Sequence, residues 1–297
     1  MAKKIICGIL LSIILWLAFV WCKYLFFQKD YSQEQVNTTF NKLGLQPPQF
    51  DSVHLGNKQI FYLTNNLSKQ SSGEKPYLFL LNDSGKSSTF FLRYFKDTNI
   101  SSNYHLIAID RIGFGKTISE ENLDYNTHIN LFQKSIQNIL KKEDYNNQPL
   151  NFISSGSSGM AGILAYDAVP SNHTKSFIFY PKIDPRFIAS KGLSKLIISL
   201  DFLFPKGFVK KQKDFLFWDI LRDEDQLKWF MKAKHSEDEI RKTEKDYKGI
   251  YFMVTNKWFE NKINEITKSK NFAVEAIKRR SIYRQPTFVQ EEIEKLK

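Results

Sequence analysis

Residues 105–117 read HLIAIDRIGFGKT, and this stretch decides the fold. Leu106, Ile107, Ala108 and Ile109 form an unbroken apolar run. Such a run suits a strand covered on both faces, as in a parallel sheet. A strand with one face in water would alternate apolar and polar residues. The run stops at Asp110-Arg111, and Gly113 and Gly115 then mark a tight turn.

Runs of the same kind lie on either side. YLFLL at 77–81 follows Pro76, and QIFYL at 59–63 precedes it. Further on come residues 150–154 (LNFIS), 175–180 (KSFIFY), 250–254 (IYFMV) and 272–276 (FAVEA). Helical spacing fills the gaps. Ile129, Leu131, Ile136, Ile139 and Leu140 predict a helix over 127–142, and another is expected from the end of the 150–154 strand through Ala168. Residues 186–248 are charged, aromatic and mostly helix-like, and a closing helix is expected near 289–296. Strand and helix in alternation call for an α/β architecture, a mostly parallel sheet with helices on both faces.

At the other end, Lys3-Lys4 precedes IICGILLSIILWLAFVWC, which carries no charge from Ile5 to Cys22. As a helix it would be about 27 Å long, close to the hydrocarbon thickness of a bilayer. Trp21 and Tyr24 suit the far interface. A cleaved signal peptide is the rival reading, but Phe19-Val20-Trp21-Cys22 offers no small-x-small cleavage site. The expectation is therefore an N-terminal transmembrane helix at 1–30 that contacts membrane lipid through residues 5–27. The two lysines suggest an inside N-terminus, which puts the remaining domain in the periplasm or outside. Lys23 and Lys29, beyond the run, pull the other way. Residues 31–50 are polar, contain Pro47-Pro48, and read as a linker. The α/β domain is expected over 51–297, with a helical cap inserted at about 186–248.

Composition excludes several classes. The net charge of +12 attracts anionic surfaces, but the lysines form no aromatic-interleaved stripe and no nucleic-acid motif accompanies them. No nucleic-acid partner is expected, and protein partners are not indicated. The two cysteines, Cys7 and Cys22, would lie about 22 Å apart on one helix, too far to bridge. No cysteine metal site can form elsewhere. No cofactor is expected. Ser84-Gly85-Lys86-Ser87 lacks the first P-loop glycine, since Leu80 stands in its place, and Gly115-Lys116-Thr117 has Asp110 there.

The turn at 110–117, DRIGFGKT, closely resembles the DRxGFGxS turn of α/β-hydrolase-fold proteins. Ser155-Gly156-Ser157-Ser158-Gly159, between a strand and a helix, resembles their G-x-S-x-G nucleophile elbow. Small residues are needed there because the turn is sharp and strained. Ser155 replaces the usual first glycine. The resemblance covers about 59–184 and continues weakly beyond. It implies Ser157 as nucleophile and the N–H groups of Ser158 and Asp83 as oxyanion donors.

The remaining machinery departs from the pattern. Where the resemblance implies a His-Gly oxyanion loop the chain reads Leu81-Asn82-Asp83-Ser84-Gly85, so only Gly85 matches. After 250–254, where the acid often stands, no carboxylate occurs until Glu260, and Asp184 is the alternative acid. The segment expected to hold the base, 279–285, reads RRSIYRQ and contains no histidine. Among His54, His105, His128, His173 and His235, only the last lies in the cap, from where it could swing over Ser157.

Two functions stay open. One is a membrane-anchored serine hydrolase acting on a small ester or lipid-like ligand, its base unidentified. The other is a pseudoenzyme, a ligand-binding or protein-interaction module at the membrane. Lys206, Lys210, Lys211 and Lys213, interleaved with phenylalanines, read as a cap packed on the domain, or as one that touches anionic membrane beside the anchor or lines a lipid-like substrate pocket.

Overall fold

Eight strands form one sheet in the order β1-β2-β4-β3-β5-β6-β7-β8. They are β1 (Gln49–Leu55), β2 (Lys58–Thr64), β3 (Tyr77–Leu81), β4 (His105–Ile109), β5 (Leu150–Ser155), β6 (Thr174–Phe179), β7 (Ile250–Val254) and β8 (Ala273–Ala276). β1 and β2 run antiparallel, and every pairing from β4 to β8 is parallel. The computed structural model describes residues 2–26, 31–65, 75–82, 86–117, 125–155, 159–169, 171, 173–179, 196–205, 208–209, 249–254, 273–276, 282 and 285–296.

The apolar runs became strands for the reason their composition gives. Every residue of β3, β4 and β5 is buried. Alternate side chains enter two separate cores. Tyr77, Phe79 and Leu81 of β3, with Ile107 and Ile109 of β4 and Phe152 of β5, face one core. Helices α5 (Tyr125–Lys142) and α6 (Gly159–Ala168) cover it through Ile129, Phe132, Ile136, Leu164 and Ala165. Leu78, Leu80, Leu106, Ala108 and Ile153 face the other. Four helices contribute to that second core: α2 (Gln33–Asn41), α3 (Leu92–Lys96), α4 (Thr98–Asn103) and α7 (Pro286–Lys295). The expected α/β class, with helices on both faces, is what forms.

Residues 31–50 correct the linker expected there. They hold α2, whose Val36 and Phe40 are fully buried in the second core. A reciprocal cap starts this helix. Gln35 N donates to Ser32 Oγ at 3.2 Å, and Ser32 N donates to Gln35 Oε1 at 2.9 Å. Gln33 then ties α2 to the sheet, donating to Pro48 O at 3.0 Å and accepting from Phe50 N at 2.8 Å. This stretch is part of the folded body because Val36 and Phe40 complete the second core.

The N-terminal helix α1 (Ala2–Phe26) is apolar enough over Ile5–Cys22 to cross a membrane, and most of that run is exposed. Of the cap expected at 186–248, only 196–205 and 208–209 are among the described residues. They form a third, small core with α1 through Val20, Ile197, Phe204 and Val209.

Candidate active site

The carboxyl edge of the sheet is where three neighbouring strands end level. Leu81 pairs with Ile109, and Leu80 pairs with Ile153. The next residues out, Asn82, Asp110 and Ser155, therefore stand side by side at the ends of β3, β4 and β5. All three are buried. In open α/β sheets this edge is where ligands bind.

Asp110 is committed to backbone. Its Oδ1 accepts from Ser88 N at 2.6 Å and its Oδ2 from Lys116 N at 2.9 Å. The turn that follows closes on itself: Phe114 N donates to Arg111 O at 2.9 Å, and Gly113 N to Thr117 O at 2.9 Å. Thr117 Oγ1 accepts from Phe61 N at 2.8 Å, and Asp110 N donates to Phe61 O at 2.9 Å, which fastens the turn to β2. Gly113 and Gly115 take φ of +90° and +55°, values that exact a strain cost from any residue with a Cβ. The DRxGFG turn is a clasp, and its carboxylate is occupied.

Asn82 stands where the resemblance implies the His-Gly pair. It is fully buried, its Nδ2 donates to Lys86 O, and its Oδ1 accepts from Arg111 Nε at 3.1 Å. One amide thus holds both ends of the 82–86 loop and joins it to the neighbouring turn. The Arg111 guanidinium is itself 1% exposed and lies 5.6 Å from the Phe114 ring centroid. Sequence reasoning did not single out this Asn82–Arg111 pair. The only signal was an amide at one strand end and an arginine just past the end of the neighbouring strand.

The strand and the helix that flank residues 156–158 are both formed. β5 ends at Ser155 and α6 begins at Gly159, so strand turns into helix within three residues. α6 lies tight on the sheet. Ser176 Oγ donates to Gly162 O at 2.9 Å, and a Cβ on Gly162 would collide with Ser154 Oγ. Ser154, Ser176 and Gly162 are small because helix and strand meet there at backbone distance. The candidates Ser157, Ser158, Asp83 and Asp184 themselves lie outside the described residues. So do the cap histidine His235 and residues 279–281.

Three histidines can be placed. His105 opens β4 at the opposite, amino edge, level with Tyr77 and Leu150. Ser155 is five residues further along β5, about 17 Å at strand rise. The His105 ring packs on Tyr77, centroids 4.9 Å apart. Burial, and secondarily the Lys75 charge, hold its pKa below the usual histidine value. His173 is exposed just before β6, again at the amino edge. His54, on β1, pairs with Gln59 of β2 and lies four strand steps from β5, or about 19 Å. His128 belongs to the first turns of α5, but its ring lies outside the described side chains. Among the described residues, no imidazole stands beside the end of β5, and no group of three or more metal-ligating side chains occurs.

No family model matches the chain, and no curated protein sequence does. Solved structures do resemble it. A lipase candidate from Acinetobacter baumannii AYE superposes with a TM-score of 0.54 at 16% identity, over 90% of this chain and 96% of that one. A soluble variant of monoglyceride lipase from Saccharomyces cerevisiae, in complex with a substrate analogue, gives 0.53 at 12% identity, over 84% and 94%. The structure of 1H-3-hydroxy-4-oxoquinoline 2,4-dioxygenase gives 0.50 at 14% identity, over 83% and 99%. At these identities the likeness is one of fold, and the fold is that of the α/β-hydrolases. The third neighbour is named for a dioxygenase reaction, so the fold alone does not assign hydrolysis.

Proposed function

We propose that this chain is a membrane-tethered pseudohydrolase: an α/β-hydrolase-fold module that holds an ester-like or lipid-like ligand, or a protein partner, without Ser–His turnover. One observation carries the reading. The polar groups placed along the carboxyl edge are consumed by structure, Asp110 by two backbone N–H groups and Asn82 by Arg111 and Lys86, while the three placed histidines lie about 17 Å or more along or across the sheet. A serine hydroxyl without a base is a poor nucleophile at neutral pH. The tether is α1, with Ile5–Cys22 in the bilayer and the folded body on the periplasmic or extracellular side.

A second reading is supported by the close packing of α6 on β5 at Gly162 and Ser154, and by the lipase neighbours. In it the protein is a serine ester or acyl hydrolase. Ser157 attacks the carbonyl, the Ser158 and Asp83 N–H groups hold the oxyanion, and a base not identified in the sequence, with the cap histidine His235 as one candidate, takes the proton, with Asp184 as acid.

The two separate in one experiment on the full-length protein in detergent. A fluorophosphonate probe and p-nitrophenyl esters are applied to wild type and to Ser157→Ala. The pseudohydrolase reading expects no labelling and equal, background esterase rates. Labelling of wild type that disappears in Ser157→Ala would overturn it in favour of the second reading.

A further inference from the structure

We propose that residues 196–205 and 208–209 are seated in the membrane interface beside α1, so that this part of the cap is a lipid-contacting element. The inference rests on the reading of Ile5–Cys22 as a span.

The contact with α1 is specific and is made near one end of the apolar run. Val20 is 5% exposed, enclosed with Ile197, Phe204 and Val209, and Leu17 packs against the same group. The Trp16 ring meets Phe204 edge-on, centroids 5.7 Å apart. Trp21 Nε1 donates to Leu203 O at 3.1 Å. Trp16 lies six residues inside Cys22, about 9 Å along the helix axis. With Cys22 at the edge of the hydrocarbon, anything packed on Trp16 has entered that layer or its boundary. The segment cannot keep these contacts and remain in bulk water above a bilayer.

Its own chemistry fits that place. Phe202 is 76% exposed, Leu196 54% and Leu203 40%, three large apolar side chains left uncovered on the element that packs against α1. Such a surface is costly in water and favourable in the interface. Backbone groups need partners there, and this segment supplies many itself. Leu200 N donates to Leu196 O, Leu203 N to Leu200 O, Phe204 N to Asp201 O, and Val209 N to Pro205 O. The Leu203 carbonyl takes the Trp21 indole N–H. Asp201 is exposed between these apolar residues and sets the depth. A carboxylate belongs at the headgroups, so the segment lies in the interface and does not cross it.

The test uses the full chain with Cys7→Ser and Cys22→Ser, reconstituted in phosphatidylcholine–phosphatidylglycerol vesicles. Single cysteines are introduced as Phe202→Cys, Leu196→Cys, Ile9→Cys and Asn146→Cys, and each is labelled with an environment-sensitive fluorophore. Quenching is read with lipids carrying a spin label shallow or deep in the acyl chain. The expected result is blue-shifted emission at 202 and 196 and several-fold stronger quenching by the shallow label than at 146. At Ile9 the deep label is expected to quench more strongly. If position 9 is quenched while 202 and 196 match 146, the inference is overturned and the span stands. If position 9 is not quenched either, the span reading falls and takes the inference with it.

Discussion

Gly115 stands so close to the carboxylate of Asp110 that a Cβ at Gly115 would collide with all three of its terminal atoms. Asp110 cannot yield, because Ser88 N and Lys116 N hold it from two sides. Gly115 also has a φ of +55°. Gly115→Ala therefore adds a left-handed backbone cost of about 1–2 kcal/mol to the displacement of a buried, bonded carboxylate. Urea unfolding of the full chain should show a loss beyond that backbone cost. A loss below it would mean the clasp is looser than described.

Helix α2 gives a second expectation. Phe40 is fully buried, so Phe40→Ala should cost about 3–5 kcal/mol. A residue in a linker would cost almost nothing. Thermal unfolding of wild type against Phe40→Ala distinguishes the two, and unchanged melting would return residues 31–50 to linker status.

Tyr62 is the buried donor to a buried acid. Its hydroxyl lies 2.7 Å from Glu143 Oε1 and 3.1 Å from Asp51 Oδ2, and burial, then the Glu143 charge, push its own ionisation far above the usual tyrosine range. Asp51 is held below the usual carboxylate range. Burial works against that, and the Lys142 ammonium, the Ser52 N–H and the Tyr62 hydroxyl outweigh it. Tyr62→Phe keeps the ring and removes the donor, so a cost of about 1–3 kcal/mol is expected from the underbonded acid. Equal urea midpoints for the two proteins would count against a donor role.

His105 sets a pH dependence. Its folded pKa lies below the ordinary 6.5, because burial and then Lys75 disfavour the cation. The unfolded chain thus binds the proton more readily. Stability from this group is complete above about pH 6.5 and falls as pH drops from there toward the folded pKa. His105→Gln should flatten the urea midpoint between pH 7.5 and the acid range where carboxylates begin to titrate. The same slope in both proteins would assign the dependence elsewhere.

The sheet was legible because its central strands are wet on neither face. YLFLL and IYFMV became β3 and β7 with the bounds read from the sequence. β1 was not read, since of its seven residues only Val53 is buried and an edge hairpin strand lacks an apolar run. α2 was hidden by polarity, with two core residues at i and i+4. The Ser32-x-x-Gln35 capping box was the signal that could have found it. At the carboxyl edge, the Asp110–Gly115 clasp was visible as a motif. The Asn82–Arg111 bond was not, because it joins residues 29 apart in the chain through side-chain reach alone.

Only six residues separate the end of α1 at Phe26 from the start of α2 at Gln33. Fully extended, they reach about 20 Å. If α1 lies in a bilayer as proposed, that short leash and the packing of Ile197, Phe204 and Val209 on α1 together hold the body at the lipid surface. Its encounters become two-dimensional. A ligand dissolved in the same membrane then meets the site at a local concentration set by leash length and lipid area rather than by the volume of the compartment.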